Sequence, residues 1–137
     1  FESMSPSQLV LGYRARDASF LTIWKRRYNY RMEIQSTLTN RSGQVLNVIY
    51  KDVDSELDFK DKKISGVHAY CFYGDKLVVV YSEKKGYWTP PGGGVEIGES
   101  VRDAVSREVK EETNMKVLKQ YFIGFQEISE PGRLDVG

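Results

Sequence analysis

"GGVEIGESVRDAVSREVKEETNM", Gly93 to Met115, decides how this chain is read. Ser100 carries a helix N-cap side chain, and Asp103 follows at the three-residue spacing of a capping box. Asn114 is the best non-glycine residue for the left-handed position that closes a helix. The pattern predicts a helix from Ser100 to about Thr113. Successive helical residues rotate by about 100°. With Val101 at zero, Ala104 lies near about −60°, Val105 near about 40° and Val109 near about 80°, which is the apolar stripe. On the same wheel Glu108 falls near about −20°, Glu112 near about 20° and Glu111 near about −80°.

Two of these three acids therefore lie inside the stripe. A solvated face would place them opposite the valines. Glu108 and Glu112 also repel as a like-charged i,i+4 pair, and all three acids occupy the end of the helix that its dipole disfavours. Local rules broken in one direction imply a compensating positive charge. With no histidine or cysteine in the stretch, a hard ion suits the donors, Mg²⁺ or Mn²⁺ rather than zinc. The competing reading is a helix end that projects past the core into water. The run Gly92-Gly93-Gly94 just before the helix lets the backbone approach a ligand and offer amides or carbonyls. It is not a Walker loop, because no Gly-Lys-Ser/Thr follows.

Taken together, these residues resemble the Nudix box, G-x5-E-x7-R-E-U-x-E-E-x-G-U, where U is apolar. It runs from Gly93 through Glu99, Arg107, Glu108, Val109, Glu111, Glu112 and Asn114 to Met115. Every fixed charged position matches, and Asn114 stands for the second glycine. The preceding "YWTPPGGG" also resembles the family's approach to the box. The likeness extends less distinctly over about residues 64–129.

The resemblance implies an α/β fold, an α/β/α sandwich around a mixed β-sheet with a loop–helix–loop box. It implies a Mg²⁺-dependent (or Mn²⁺-dependent) pyrophosphohydrolase acting on a nucleoside diphosphate derivative: an NTP, a nucleotide sugar such as ADP-ribose, or a dinucleotide. By resemblance Glu108, Glu111 and Glu112 are metal ligands, with a backbone carbonyl from Gly93 or Gly94. Gly92, Gly93 and Gly94 contact the substrate's diphosphate. Arg107 orients the glutamates and Glu99 joins its network. Glu108 is the first candidate for the general base that deprotonates the attacking water. Pro131 stands where ADP-ribose hydrolases of the family often carry a proline, but a turn proline is the preferred reading.

Outward from the box, "SGVHAYCFY" reads as a strand and Gly74-Asp75 as a hairpin turn. "KLVVVYSE" reads as one strand buried on both faces. "KKGYWTPPGGGVEIGE" reads as a loop, and "KQYFIGFQEIS" as a further strand. Tyr87 and Trp88 invite comparison with a base-stacking pair but read better as core, and Lys84 and Lys85 as a solvated hairpin end. His68 and Cys71 read as structural. Earlier in the chain, "QLVLGY", "SFLTIW" and "YRMEIQSTLTN" suggest a meander of strands. Gly43 would turn a hairpin into "VLNVIYKDV", and "DSELDFKDKK" is an exposed connection.

The 137 residues and a net charge of +1 fit one domain without a global field for DNA. Charge is uneven all the same: residues 1–41 hold seven basic against three acidic residues, and residues 93–115 hold six acidic against three basic. One cysteine allows no intrachain disulfide and fits a reducing, cytoplasmic compartment. No apolar run is long enough for a membrane span. Phe1-Glu2-Ser3 before Met4 read as a cloning remnant, residues 4–60 as an N-terminal segment of strands, and 61–137 as a Nudix core that looks short at its C-terminal end. "WKRRYNYR", residues 24–31, mixes bases and aromatics as nucleic-acid surfaces do. A homodimer contact or a solvated strand is preferred, and nucleic acid is not expected. The alternatives to an enzyme are a non-catalytic nucleotide-sensing module and an RNA-binding or processing protein.

Overall fold

In the computed structural model the described residues are 7–12, as backbone, and 31–131. The readings of "SFLTIW", of "WKRRYNYR" apart from Arg31, and of the chain's first and last six residues lie outside them.

Nine strands and one α-helix are described. They are β1 (Ser7–Gly12), β2 (Glu33–Thr39), β3 (Val45–Asp52), β4 (Gly66–Tyr73), β5 (Lys76–Val78), β6 (Val80–Ser82), β7 (Tyr87–Thr89), β8 (Gly92–Gly94), α1 (Val101–Thr113) and β9 (Tyr121–Ser129). Seven strands form one mixed sheet in the order β2-β3-β9-β1-β4-β5, with β8 also on β4. β1 runs parallel to β4 and antiparallel to β9, so Leu9 stands in register with Val67 on one side and Phe125 on the other. β6 and β7 form a separate hairpin. This is the expected α/β arrangement of a mixed sheet with the box helix against it.

α1 begins and ends where the sequence predicts. The Ser100 hydroxyl accepts from the Asp103 amide at 3.1 Å and donates to its carboxylate at 2.7 Å. Asn114 closes the helix at φ 57°, its N–H donating to the Lys110 carbonyl at 2.9 Å. Ala104, Val105 and Val109 are buried against Val67 and Ala69 of β4 and Phe122 and Phe125 of β9. Burial of each valine is worth about 1.5–3 kcal/mol relative to exposure. Strand alternation puts Leu46, Val48 and Ile128 on the opposite face, where they form a second buried cluster.

Three readings need correction. "KLVVVYSE" is two short strands, and Leu77, Val79 and Tyr81 are exposed. Among the described residues β5 pairs with the end of β4 alone, and the chain then turns away at Val79 to pair with β7, so no described element covers it. The supposed loop before the helix contains β7, which closes a hairpin on β6, and β8, whose pairing comes from the distant β4 and not from local propensity. "DSELDFKDKK" holds a 3-10 turn, Glu56–Phe59, that sends Phe59 into the core edge-on to Phe122 at 5.5 Å. The β2–β3 hairpin stands as predicted, with Gly43 at φ 83°.

Candidate active site

The glycine run is a strand because β4 makes it one. Gly92, Gly93 and Gly94 pair with His68, Val67 and Gly66. The Ala69 N–H donates to the Pro91 carbonyl at 2.8 Å, and the Val95 N–H to the Ser65 carbonyl at 3.0 Å. The helix lies directly against this strand. A Cβ added at Gly93 would come within 2.5 Å of the Glu108 carboxylate. There the near atoms are the movable end of a side chain, whereas a Cβ at Gly92 would run into the Val67 carbonyl of the β4 backbone, so glycine is required by close approach at Gly92.

Arg107 holds the helix and the loop together. Its Nε donates to Glu99 Oε1 at 2.8 Å and its Nη2 to Glu99 Oε2 at 3.0 Å, a bidentate pair. Nη1 donates to Glu108 Oε1 at 2.8 Å and to Glu111 Oε2 at 3.4 Å. Nη2 also donates to the Gly94 carbonyl at 2.8 Å. All five guanidinium donors are thereby engaged. Glu99 precedes the helix, and its Oε2 also accepts from the Glu96 amide at 3.0 Å. The Arg107 guanidinium and that amide hold the Glu99 carboxyl below the usual carboxylate range, and Arg107 is itself raised by Glu99 and Glu108.

The three box acids differ in setting. The Glu108 side chain is 13% exposed, and that of Glu111 is 59% exposed. Glu112 turns back to the glycine strand, its Oε2 accepting from the Gly92 N–H at 3.0 Å. Partial burial pushes the Glu112 carboxyl up, against the pull of that amide, with Glu108 adding to the rise. The wheel put Glu108 and Glu112 on the side of the valines, and in the structure Glu112 reaches Gly92 and Glu108 lies beside Gly93. Among the described residues no three carboxylate, imidazole or thiolate groups converge as a finished ion cage. The donors nevertheless suit a hard divalent ion in kind: three carboxylates within one helical turn, beside a backbone approach that only glycine permits. The Gly94 carbonyl accepts from Arg107, and Gly93 faces Val67 in the β4–β8 ladder.

The other candidates fall as follows. Tyr87 and Trp88 are exposed, not core; Trp88 meets Tyr81 edge-on across the hairpin at 5.4 Å. Lys84 is exposed but Lys85 is half-buried. His68 is half-buried opposite Gly92, and burial together with Lys85 lowers its pKa. Burial raises the Cys71 thiol, in keeping with a structural residue. A cavity of about 450 Å³ opens elsewhere, between the far end of β4, Val105, Val109 and residues 115–121. None of the box acids lines it. Sequence reasoning missed the contact of Arg41 Nη2 with the Lys84 carbonyl at 3.1 Å, for which no local signal exists.

A family model described as NUDIX domain matches residues 62–133. Over 50 residues the chain is 42% identical to the Bacillus subtilis (strain 168) protein called "Uncharacterized Nudix hydrolase YvcI". That stretch covers 36% of this chain and 32% of the relative, so the match spans about a third of the relative's length. No solved structure matches. No helix among the described residues is long and apolar enough to cross a membrane.

Proposed function

This chain belongs to the Nudix family, and from that premise we propose that it hydrolyses the diphosphate linkage of a nucleoside diphosphate derivative with the help of Mg²⁺ or Mn²⁺. Glu108, Glu111, Glu112 and the Gly93 carbonyl would hold the ion. When bound, the ion supplies Lewis acidity that neutralises phosphate charge and makes coordinated water more acidic. The observation that carries this reading is the fan of hydrogen bonds from Arg107 to Glu99, Glu108, Glu111 and Gly94, because it fixes acids and glycine strand as one unit.

The residues then have separate tasks. The Gly92–Gly94 strand admits the diphosphate, since side chains there would obstruct it. Arg107 is a positioning residue: it orients Glu108 and Glu111, and Glu99 locks its plane. Glu108 takes a proton from the attacking water. A bond forms between that water oxygen and phosphorus, and the bond from phosphorus to the bridging oxygen breaks. The bridging oxygen leaves with the electron pair on the departing phosphate. Intact Glu108, Glu111 and Glu112 favour an enzyme over a pure sensor, which needs no full set of acids.

The test is the appearance of the two phosphate-bearing products from a panel of NTPs, nucleotide sugars and dinucleotides with Mg²⁺ or Mn²⁺. Turnover that requires the ion and disappears in Glu111→Gln is expected. No turnover on any member would remove the reading.

A further inference from the structure

The cavity of about 450 Å³ lies along β4 beyond the glycine strand. β8 pairs with Gly66, Val67 and His68, and the cavity begins at the next residue, Ala69. It is lined by Ala69 and Cys71 of β4, by Val105 and Val109 of α1, and by residues 115–120, which join α1 to β9 without regular structure. Protein interiors hold few voids larger than a water molecule, so a space of this size is not a packing defect. It falls within the range of small-molecule pockets, roughly 300–1,000 Å³.

Two features define what it would hold. The valines of α1 and Ala69 make one wall aliphatic, and Tyr73 and Leu118 also line the cavity yet are 73% and 88% exposed, so apolar surface runs from inside out to solvent. The charged residues of the lining are Lys116 and Lys119, both exposed, and no Asp or Glu lines it. Lys119 Nζ stands 5.0 Å from the centroid of the Tyr121 ring, and Tyr121 belongs to the lining, which holds one positive charge beside the cavity. An apolar body with one anionic end is complementary to both features. A polyanion would carry charge into an aliphatic interior, and a cation would meet the lysines.

We propose that this cavity binds an alkyl carboxylate, of the class of medium-chain fatty acids, with its chain against Ala69, Val105 and Val109 and its carboxylate at Lys116 and Lys119. None of the box acids lines the cavity, so the inference stands apart from the hydrolase reading.

Cys71 is the one cysteine of the chain, so its alkylation reports on the cavity from within. Reaction of the full chain with iodoacetamide should slow as decanoate saturates the protein, with the circular dichroism spectrum unchanged. In calorimetric titrations decanoate should bind on the order of tenfold more tightly than decanol, the scale of one charge-assisted hydrogen bond. Decyltrimethylammonium should bind more weakly than decanol. Lys116→Glu and Lys119→Glu, both at exposed positions, should bring the margin of decanoate over decanol toward one and leave decanol binding unchanged. No binding of decanoate, an alkylation rate that decanoate does not alter, equal binding of the three amphiphiles, or a margin that survives both lysine variants would overturn the proposal.

Discussion

Arg107 and Glu99 meet through two parallel hydrogen bonds, of 2.8 and 3.0 Å, across the boundary between the loop and the helix. A lysine keeps the charge but not the fork. Arg107→Lys should therefore fold, with helix content unchanged by circular dichroism. Ion affinity should fall about 10–100-fold, the usual cost of losing a group that orients ligands. Calorimetric titration with Mn²⁺ reads it, and wild-type affinity in the variant would contradict the role given to Arg107.

Gly93 and Gly98 separate two uses of glycine. At Gly93 an added methyl meets the Glu108 carboxylate, whereas at Gly98, with φ 78°, it meets nothing within 4 Å. Gly93→Ala should displace Glu108 and lower turnover on the order of 10²-fold, the effect of a small misplacement at a reacting centre. Gly98→Ala should cost about 1–2 kcal/mol of stability through its left-handed backbone and leave ion affinity alone. Paired kinetic and urea-unfolding measurements distinguish the two, and identical profiles would refute the distinction.

Tyr50 covers Gly124 across the β3–β9 pair, so a Cβ at Gly124 would run into the phenol ring. Gly124→Ala should cost about 1–3 kcal/mol through overpacking. The Tyr50 hydroxyl bonds Asp52 Oδ1 at 3.0 Å and the Ile123 carbonyl at 3.1 Å. Tyr50→Phe should cost roughly 1 kcal/mol. Both effects belong to stability, and chemical denaturation should show them while ion binding stays at wild-type level.

Acid should weaken the protein through two identified carboxylates. Glu99 is depressed by Arg107 and then by the Glu96 amide. Asp58 is depressed chiefly by the Asp54 amide, with Arg31 at 2.9 Å contributing. A carboxylate with a depressed folded pKa adds stability that is present above its unfolded value, about pH 4, and is lost as the pH falls through its folded value. Unfolding free energy should hold from neutrality to mild acid and then drop. Glu99→Gln should be less stable at pH 7 and should fall less steeply in acid. An acid slope equal to that of wild type would show that Glu99 does not contribute.

The helix was legible from sequence because its signals are local: Ser100 and Asn114 mark its ends, and a wheel suffices to set Glu108 and Glu112 on the side of the valines. Glycine strand β8 was not, because three glycines have no strand preference and pair only because β4 lies alongside. "KLVVVYSE" misled for a related reason. An apolar run states what could be buried, and only the rest of the sheet decides whether anything covers it. Phe59 was hidden by its charged neighbours, and the Arg41–Lys84 contact joins turns that nothing in the chain links beforehand.

β1 carries a consequence for how the protein is made. It is synthesised before both of its hydrogen-bonding partners, β4 and β9. On the ribosome it emerges with neither edge satisfied and must wait until Tyr121–Ser129 has left the exit tunnel. Until then β4 and the box that leans on it border an incomplete sheet. The sheet behind the candidate active site is therefore completed only when β9 is made, and β1 keeps an exposed strand edge until then.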